Sequence, residues 1–298
     1  MKIKKTALLA ATLSILAAGS AFAQDAGTLK KIKDTGVIAL GHRESSIPFS
    51  YYDQSQQVVG YSREFQMKVV DAVKKKLNKP DLQVALMPVT SQNRIPLITN
   101  GTIDLECGST TNNTARGKDV AFAINHFYTG TRLLVKKSSK IKNYADLAKK
   151  TVASTTGTTN VLVMRKYNIE KNLGMDIVLG KDHADAFLLV ESDRAVAFAM
   201  DDILLFGLIA NAKNPADFEV VGEALQVEPY GCMMAKDDPA FKKLVDDTII
   251  GLMKSGEFEK MYNKWFMQPI PPKGVPLNLP MSPQLRENIQ APSDKPAT

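Results

Sequence analysis

The sequence predicts an α/β fold built on a largely parallel sheet. Short apolar runs with strand character alternate along the chain with longer runs whose apolar residues have helical spacing. Such alternation is typical of units in which a helix joins two parallel strands. Beyond the amino-terminal segment no apolar run approaches the roughly 18 residues of a transmembrane helix. We therefore expect the mature chain to be soluble.

The predicted elements follow in chain order. Strands are expected over 37–41, 82–89, 104–108, 131–137, 151–154, 175–180, 195–200, 218–222 and 230–236. Helices are expected over 63–77, 92–101, after the run "TTGTT" at 155–159, from 181, from 201, over 239–254 and over 257–266. The tail from Pro269 onward is rich in Pro, Asn and Ser, which predicts an irregular or partly disordered strap.

The amino terminus has the features of an export signal. Three lysines within the first five residues precede an apolar stretch that ends in the cleavage pattern Ala21-Phe22-Ala23. We expect cleavage after Ala23, with an uncleaved anchor as the alternative. The net charge of +7 then falls to +4, because the three lysines are removed. The remaining basic residues are scattered rather than grouped with aromatics, which argues against nucleic-acid binding.

The mature chain of 275 residues, left when 23 of 298 are removed, is long enough for two domains. It contains two cysteines, Cys107 and Cys232. An even number of cysteines in an exported protein favours a disulfide. Because both lie in apolar runs, two buried thiols are the alternative.

Polar and charged side chains follow most of the predicted strands. In open α/β sheets, ligands bind beyond the carboxyl ends of the strands. The candidates at these positions are Arg43, Ser91, Arg94, Ser109, Thr111, Arg116, Thr159, His183 and Asp201. The planar guanidinium of arginine matches a carboxylate with two parallel hydrogen bonds, and an aspartate can accept an ammonium group. The set predicts a site for a small zwitterion with more than one carboxylate.

Each candidate also has an ordinary structural interpretation when taken alone. An arginine after a strand is often a solvated surface group, and Ser91, Asp201 and the "TTGTT" run suit helix caps. The sequence gives less support for a catalytic or metal-binding site. The three histidines do not have the spacing of metal ligands, and neither an HExxH motif nor a Gly-x-Ser-x-Gly elbow occurs. We therefore expect a binding site without metal or cofactor.

Several long runs connect the chain to a known family. They include "GHRESSIPFSYYD", "TSQNRIPL", "NGTIDLECGSTTNN", "KDHADAF", "RAVAFAMDD" and "KWFMQPIPPK". In these runs the chain resembles the periplasmic solute-binding proteins of polar amino-acid ABC transporters, in particular the members that bind glutamate and aspartate. The resemblance implies two α/β lobes that are joined by two hinge-crossing strands and close on the ligand. It implies a first lobe of residues 24–128 plus 231–298 and a second lobe of residues 129–230.

The resemblance also implies roles for the candidate residues. The ligand side-chain carboxylate would meet Arg43, Ser91, Arg94 and His183. The α-carboxylate would meet Arg116, Thr159 and Thr111, and the α-ammonium would meet Ser109, Thr111 and Asp201. A neutral amide ligand would leave a buried guanidinium without its countercharge, at a cost of about 3–5 kcal/mol.

The implied function is capture of L-glutamate and L-aspartate in the periplasm and delivery to an inner-membrane ABC permease. The protein would be a monomer and would catalyse no reaction. Two rival functions remain open. One is a dehydratase-like enzyme acting on small carboxylic acids with the same fold, because a fold does not determine a function. The other is a chemosensory protein that binds the same ligand.

Overall fold

The computed structural model describes residues 27–297. The predicted export signal and its cleavage site after Ala23 lie outside these residues. Between residues 27 and 297, no helix has both the length and the apolar character needed to cross a membrane.

Strands and helices alternate along most of the described chain. The strands are β1 (Val37–His42), β2 (Ser45–Ser46), β3 (Ser50–Tyr52), β4 (Val58–Val59), β5 (Gln83–Pro88), β6 (Leu105–Glu106), β7 (Val120–Phe122), β8 (Phe127–Thr129), β9 (Thr131–Lys136), β10 (Thr151–Thr155), β11 (Asp176–Gly180), β12 (Ala197–Asp201), β13 (Phe218–Val221), β14 (Glu228–Tyr230) and β15 (Met233–Ala235). The helices are α1 (Thr28–Thr35), α2 (Tyr61–Leu77), α3 (Arg94–Thr99), α4 (Thr159–Glu170), α5 (His183–Glu191), α6 (Asp202–Asn211), α7 (Pro239–Ser255), α8 (Glu257–Phe266) and α9 (Pro283–Gln290).

Two five-stranded sheets organise residues 27–297. The first has the order β5-β1-β6-β15-β7 and the second has the order β11-β10-β12-β9-β13. In the first sheet β15 runs antiparallel to both neighbours, and in the second β9 does. The other strands of each sheet share one direction. The prediction of a largely parallel α/β structure is confirmed, with one reversed strand in each sheet.

Two paired strands connect the sheets. The chain leaves the first sheet after β7, passes through β8 and enters the second sheet at β9; it returns through β14 to β15. Strands β8 and β14 pair antiparallel, with Phe127 opposite Tyr230 and Thr129 opposite Glu228. The predicted two-lobed fold with two crossing strands is confirmed. We call the parts built on the two sheets the first and second lobes; the exact boundary residues stay a prediction.

An aromatic cluster anchors the crossing strands to the first lobe. Phe49 lies between β2 and β3, and its ring meets Phe127 of β8 at 4.9 Å and Tyr230 of β14 at 5.2 Å, edge to face in both cases. Phe266 of α8 stacks on Phe127 at 5.1 Å. Aromatic pairs at these distances stabilise a core beyond the burial of their surface.

The cysteines form a disulfide between Cys107 and Cys232. The expectation of a bond is confirmed, and the alternative of two thiols is wrong. Cys107 follows β6 directly, and Cys232 lies between β14 and β15. The bond therefore joins the segment that leads into the Ser109 loop to the segment that returns from the second lobe.

The carboxyl-terminal tail is more ordered than its composition suggests. It contains helix α9, which begins with the pair Ser282-Pro283, and the Ser282 hydroxyl accepts a hydrogen bond from the Leu285 amide at 3.2 Å. After α9 the strap runs extended, and Ala297 pairs with Asn113 beside the Arg116 loop. The expectation of partial disorder is wrong here. Ser282 followed by proline at the first helical position is a start signal for a helix. The high proline content of the tail as a whole suggested an irregular segment instead.

Candidate ligand-binding site

A small cavity lies between the two lobes, at the carboxyl ends of several strands. Its lining includes eight of the nine sequence-predicted residues. The first lobe contributes Ser91, Arg94, Ser109, Thr111 and Arg116, and the second contributes Thr159, His183 and Asp201. Four further residues line it that were not among the nine: Thr158 of the "TTGTT" run, Asn160, Met200 and Leu204. Met200 and Leu204 line the cavity with apolar side chains, so a prediction based on polar residues at strand ends could not include them.

Arg43 is the ninth predicted residue, and it is wholly buried beside the cavity without lining it. Its Nη2 forms an ion pair with Asp182 and lies 3.3 Å from His183 Nε2. The Ser45 hydroxyl donates to the second Asp182 oxygen at 2.9 Å. Burial alone would raise the pKa of Asp182, but the Arg43 guanidinium holds it well below its usual range. Asp182 was missed as a site residue, although it follows β11 and precedes His183.

His183 is buried and neutral. Burial, together with the nearby Arg43 charge, lowers its pKa to about 3. Since Arg43 donates toward Nε2, the ring proton sits on Nδ1, which donates to the Thr155 hydroxyl at 3.0 Å. The imidazole therefore brings no charge of its own to the site.

Arg94 is buried in the cavity wall. Its Nη1 donates to the Ser109 carbonyl at 3.0 Å and to the Thr110 hydroxyl at 2.5 Å. The Thr110 hydroxyl in turn donates to Glu106 at 2.5 Å, so the nearest carboxylate reaches Arg94 only through a threonine. Burial lowers the pKa of Arg94 to about 9, and it remains a cation at neutral pH. Like Arg116, Arg94 has no direct carboxylate partner among the described residues.

Arg116 spans the mouth between the lobes. Its Nη1 donates to the Thr111 carbonyl at 2.9 Å, and its Nη2 reaches the Gly157 carbonyl of the second lobe at 3.3 Å. Gly157 has a φ of +78°, and a Cβ there would lie 2.6 Å from the Gln92 Cα. Glycine is needed because the two backbones approach too closely for a side chain. The "TTGTT" run is thus a contact between the lobes as well as a helix start.

Two buried carboxylates lie at the cavity: Asp201 lines it, and Glu228 lies behind the lining residues Thr111 and Thr159. Asp201 accepts hydrogen bonds from Asn160 at 2.8 Å and from the Tyr230 hydroxyl at 2.5 Å. Burial, together with the charge of Glu228, raises the pKa of Asp201 to about 8. This environment disfavours a second negative charge and favours a cation placed beside it. The ammonium group of an amino acid is such a cation.

Glu228 is fully buried on crossing strand β14. One of its oxygens accepts from Thr111 at 2.6 Å and from Thr159 at 2.7 Å, and the other accepts from Gln226. Sequence reasoning missed this residue. The signal available was an acidic residue inside the apolar run that ends in "YGCMM".

Unpartnered polar atoms concentrate here. Seven buried side-chain nitrogen or oxygen atoms in residues 27–297 have no hydrogen-bond partner, and five of them lie in or beside this cavity. They belong to Arg43, Ser91, Arg94, Glu106 and Asn160. Because buried polar groups are normally satisfied, such a concentration indicates a site built to receive a polar ligand. Across the described residues, His, Cys, Asp and Glu form no group of three or more that could hold a metal ion.

The arrangement is that of an amino-acid site, because buried guanidiniums and buried carboxylates meet at one small cavity. Comparison with known proteins agrees. The glutamate/aspartate import solute-binding protein of Escherichia coli (strain K12) is 54% identical over 302 residues, covering 99% of each chain. The L-glutamate/L-aspartate-binding protein of Pseudomonas aeruginosa is 51% identical over 299 residues, covering 100% of this chain and 99% of that protein.

The fold is likewise similar to solved structures. A mutant of ArgBP from T. maritima superimposes with a TM-score of 0.71 at 26% identity, covering 80% of this chain and 99% of that one. Residues 38–268 match the family described as bacterial extracellular solute-binding proteins, family 3. The chain is a member of that family.

Proposed function

We propose that this protein captures L-glutamate and L-aspartate in the periplasm and delivers them to an ABC permease. The carrying observation is that Arg94, Arg116 and Asp201 line one cavity between the lobes, with Glu228 bound to the lining residues Thr111 and Thr159. The names of the two relatives above, each matched over nearly the full length, support the same ligands. Export through the amino-terminal signal and action as a monomer belong to the same proposal.

The ligand would lie between the lobes with its two ends recognised separately. Its side-chain carboxylate would meet Arg94, Ser91 and His183, with Arg43 behind them. Its α-carboxylate would meet Arg116. Its α-ammonium would lie toward Asp201, Ser109 and Thr111. Contacts from both lobes favour the closed state, because a ligand that bridges them binds that state more tightly.

Calorimetric titration tests the proposal. The mature protein is unfolded and refolded to remove carried ligand, then titrated with L-glutamate, L-aspartate, L-glutamine and L-asparagine. We expect the two acids to bind with dissociation constants near micromolar, about −8 kcal/mol, and the amides far more weakly. Equal binding of acids and amides would refute the assignment of the side-chain carboxylate. Incubation with each acid should yield no product, and turnover would favour an enzyme instead.

A further inference from the structure

The two lobes also touch at a place outside the cavity. Residues 45–49 of the first lobe, which we call the arm, run from β2 to the start of β3 and lie against two helices of the second lobe. At one end of the arm, the Ser45 hydroxyl donates to Asp182, the residue that caps α5, at 2.9 Å. At the other end, Ile47 lies against Gly207 of α6. These four residues do not line the cavity, so the contact does not depend on where a ligand lies.

The fit between the arm and α6 leaves no room for a side chain at Gly207. A Cβ there would lie 2.4 Å from the Ile47 carbonyl oxygen and 3.0 Å from the Ile47 Cβ. Non-bonded carbon atoms pack best at about 3.5–4.0 Å. Gly207 lies inside a helix, where alanine is the better helix former. The helix itself therefore gains nothing from this glycine, and the close approach of the arm accounts for it.

The arm is fixed to the first lobe along its length. The Ser46 carbonyl accepts from the Phe49 amide at 2.7 Å, and the Pro48 carbonyl accepts from the Tyr61 amide at 2.9 Å. The Phe49 carbonyl accepts from the Ser62 amide at 2.9 Å, and the Phe49 ring is held by the aromatic cluster of the crossing strands and α8. Because the arm is held in this way, a side chain added to α6 would push the lobes apart rather than bend the arm.

We propose that Gly207 is a positioning residue for ligand capture: it leaves room for the arm, so that the lobes reach the arrangement in which both contact the ligand. The inference rests on the proposed function and adds to it a determinant of affinity that lies outside the cavity. The apparent affinity for a ligand that binds only the closed state scales with the fraction of the protein that is closed. A change at Gly207 therefore weakens every ligand by the same factor, whereas a change in the cavity alters the ratio between ligands.

The test compares Gly207→Ala with Gly251→Ala. Gly251 is the matched control, because it also lies inside a helix, α7, and an added Cβ there meets no atom within 4 Å. Calorimetric titration measures the binding of L-glutamate and L-aspartate to each protein. We expect Gly207→Ala to weaken both ligands about tenfold or more, while the ratio of the two dissociation constants stays within about twofold of the wild-type ratio. The control should bind both ligands as the wild-type protein does.

A pair of spin labels, one in each lobe, measures closure directly. The two native cysteines are bonded to each other, so Lys76→Cys on α2 and Lys166→Cys on α4 introduce the only reactive thiols, both at exposed positions. With saturating glutamate, we expect the distance between the labels in Gly207→Ala to stay near that of the ligand-free wild-type protein. In the control it should reach the distance of the ligand-bound wild-type protein.

Wild-type affinity and closure in Gly207→Ala would overturn the proposal, even if its melting temperature fell, since the contact would then only support the fold. A loss that differs between glutamate and aspartate would also overturn it. If circular dichroism shows that Gly207→Ala does not fold, Ser45→Ala decides instead, because it removes the other contact of the arm without adding atoms. It should weaken both acids equally, and unchanged affinity would contradict the proposal. If the wild-type protein binds neither acid, the proposed function fails separately, and the same measurements are made with the amino acid that closes it.

Discussion

The carboxylate of Asp182 pairs with the guanidinium of Arg43 across the gap between the lobes. Arg43 is fully buried, and the Asp182 side chain keeps an exposed fraction of 14%. Arg43 therefore has a countercharge from the second lobe when the lobes are in this arrangement. This weakens the expectation that an amide ligand would leave Arg43 unpaired. Arg94 reaches a carboxylate only through Thr110, so we assign the discrimination against amides mainly to Arg94.

The two arginines should therefore differ in their effect on ligand choice. We expect Arg94→Ala to weaken glutamate about 100-fold, because an ion pair with a buried guanidinium contributes about 3 kcal/mol, and to leave glutamine within a few-fold. Arg43→Ala should reduce the ratio of glutamate to glutamine affinity less than Arg94→Ala does. Calorimetric titration of both ligands measures the ratio. Arg165→Ala, on the exposed surface of α4, is the matched control. A larger change of the ratio in Arg43→Ala would contradict the assignment.

Two buried histidines should make the protein sensitive to acid. Burial lowers the pKa of His126 and of His183 to about 3 from a usual value of 6.5. As pH falls below 6.5, the unfolded chain takes up protons that the folded protein does not, so the free energy of unfolding falls until the pH approaches 3. Each histidine contributes about 1.4 kcal/mol per pH unit to this slope.

The measurement is urea unfolding between pH 7 and pH 4. We expect the free energy of unfolding of His183→Gln to fall less steeply as the pH decreases. The difference in slope should be about 1.4 kcal/mol per pH unit, the contribution of one histidine. His126→Gln should do the same independently, because the His126 ring lies among the aromatic rings Tyr61 and Phe65 rather than in the cavity. Unchanged slopes would mean that these imidazoles titrate normally in the folded protein.

The disulfide should stabilise the fold through the length of the loop that it closes. Cys107 and Cys232 are 125 residues apart, and closing so long a loop restricts the unfolded chain strongly. Reduction should lower the free energy of unfolding by about 5 kcal/mol, in the chain-entropy account. Denaturant midpoints with and without reductant check this. The double variant Cys107→Ala, Cys232→Ala should be insensitive to reductant, and a reductant effect on it would show another cause.

The strap after α9 should support the binding loop. Its backbone carbonyls accept from the amides of Asn112 at 2.7 Å and Asn125 at 2.9 Å, and the Ala297 amide donates to the Asn112 carbonyl at 2.9 Å. Asn112 directly follows the cavity residue Thr111. Deletion of residues 291–298 should therefore weaken glutamate several-fold and lower the free energy of unfolding by about 2–4 kcal/mol, at about 1 kcal/mol per lost bond.

Titration and urea unfolding of the truncated protein test this. Asn112→Ala, which keeps the strap in place, should shift both quantities in the same direction by a smaller amount. A truncated protein with wild-type affinity would show that the strap does not position the loop.

Local patterns sufficed for much of the fold. Apolar periodicity located the main strands and α2, and the rule that ligands lie beyond strand ends brought eight side chains to one cavity. Glu228 could not be found this way, because its place depends on the pairing of β14 with β8, about a hundred residues earlier in the chain. The pairing of Arg43 was equally hidden, since Asp182 belongs to the other lobe. Two side chains that pair across the cleft, such as Arg43 and Asp182, produce no periodic pattern in the sequence around either residue.

The order of the strands along the chain also dictates an order of assembly during synthesis. The second sheet uses only residues between Thr131 and Val221, so it is complete in a nascent chain that has not yet reached β14. The first sheet must wait for β15, which fills the gap between β6 and β7. Until Met233–Ala235 emerges, β6 and β7 each have an unpaired edge, and exposed edges invite association with other chains. The first sheet, whose strands β1, β5, β6 and β7 precede the second sheet in the chain, is thus completed last.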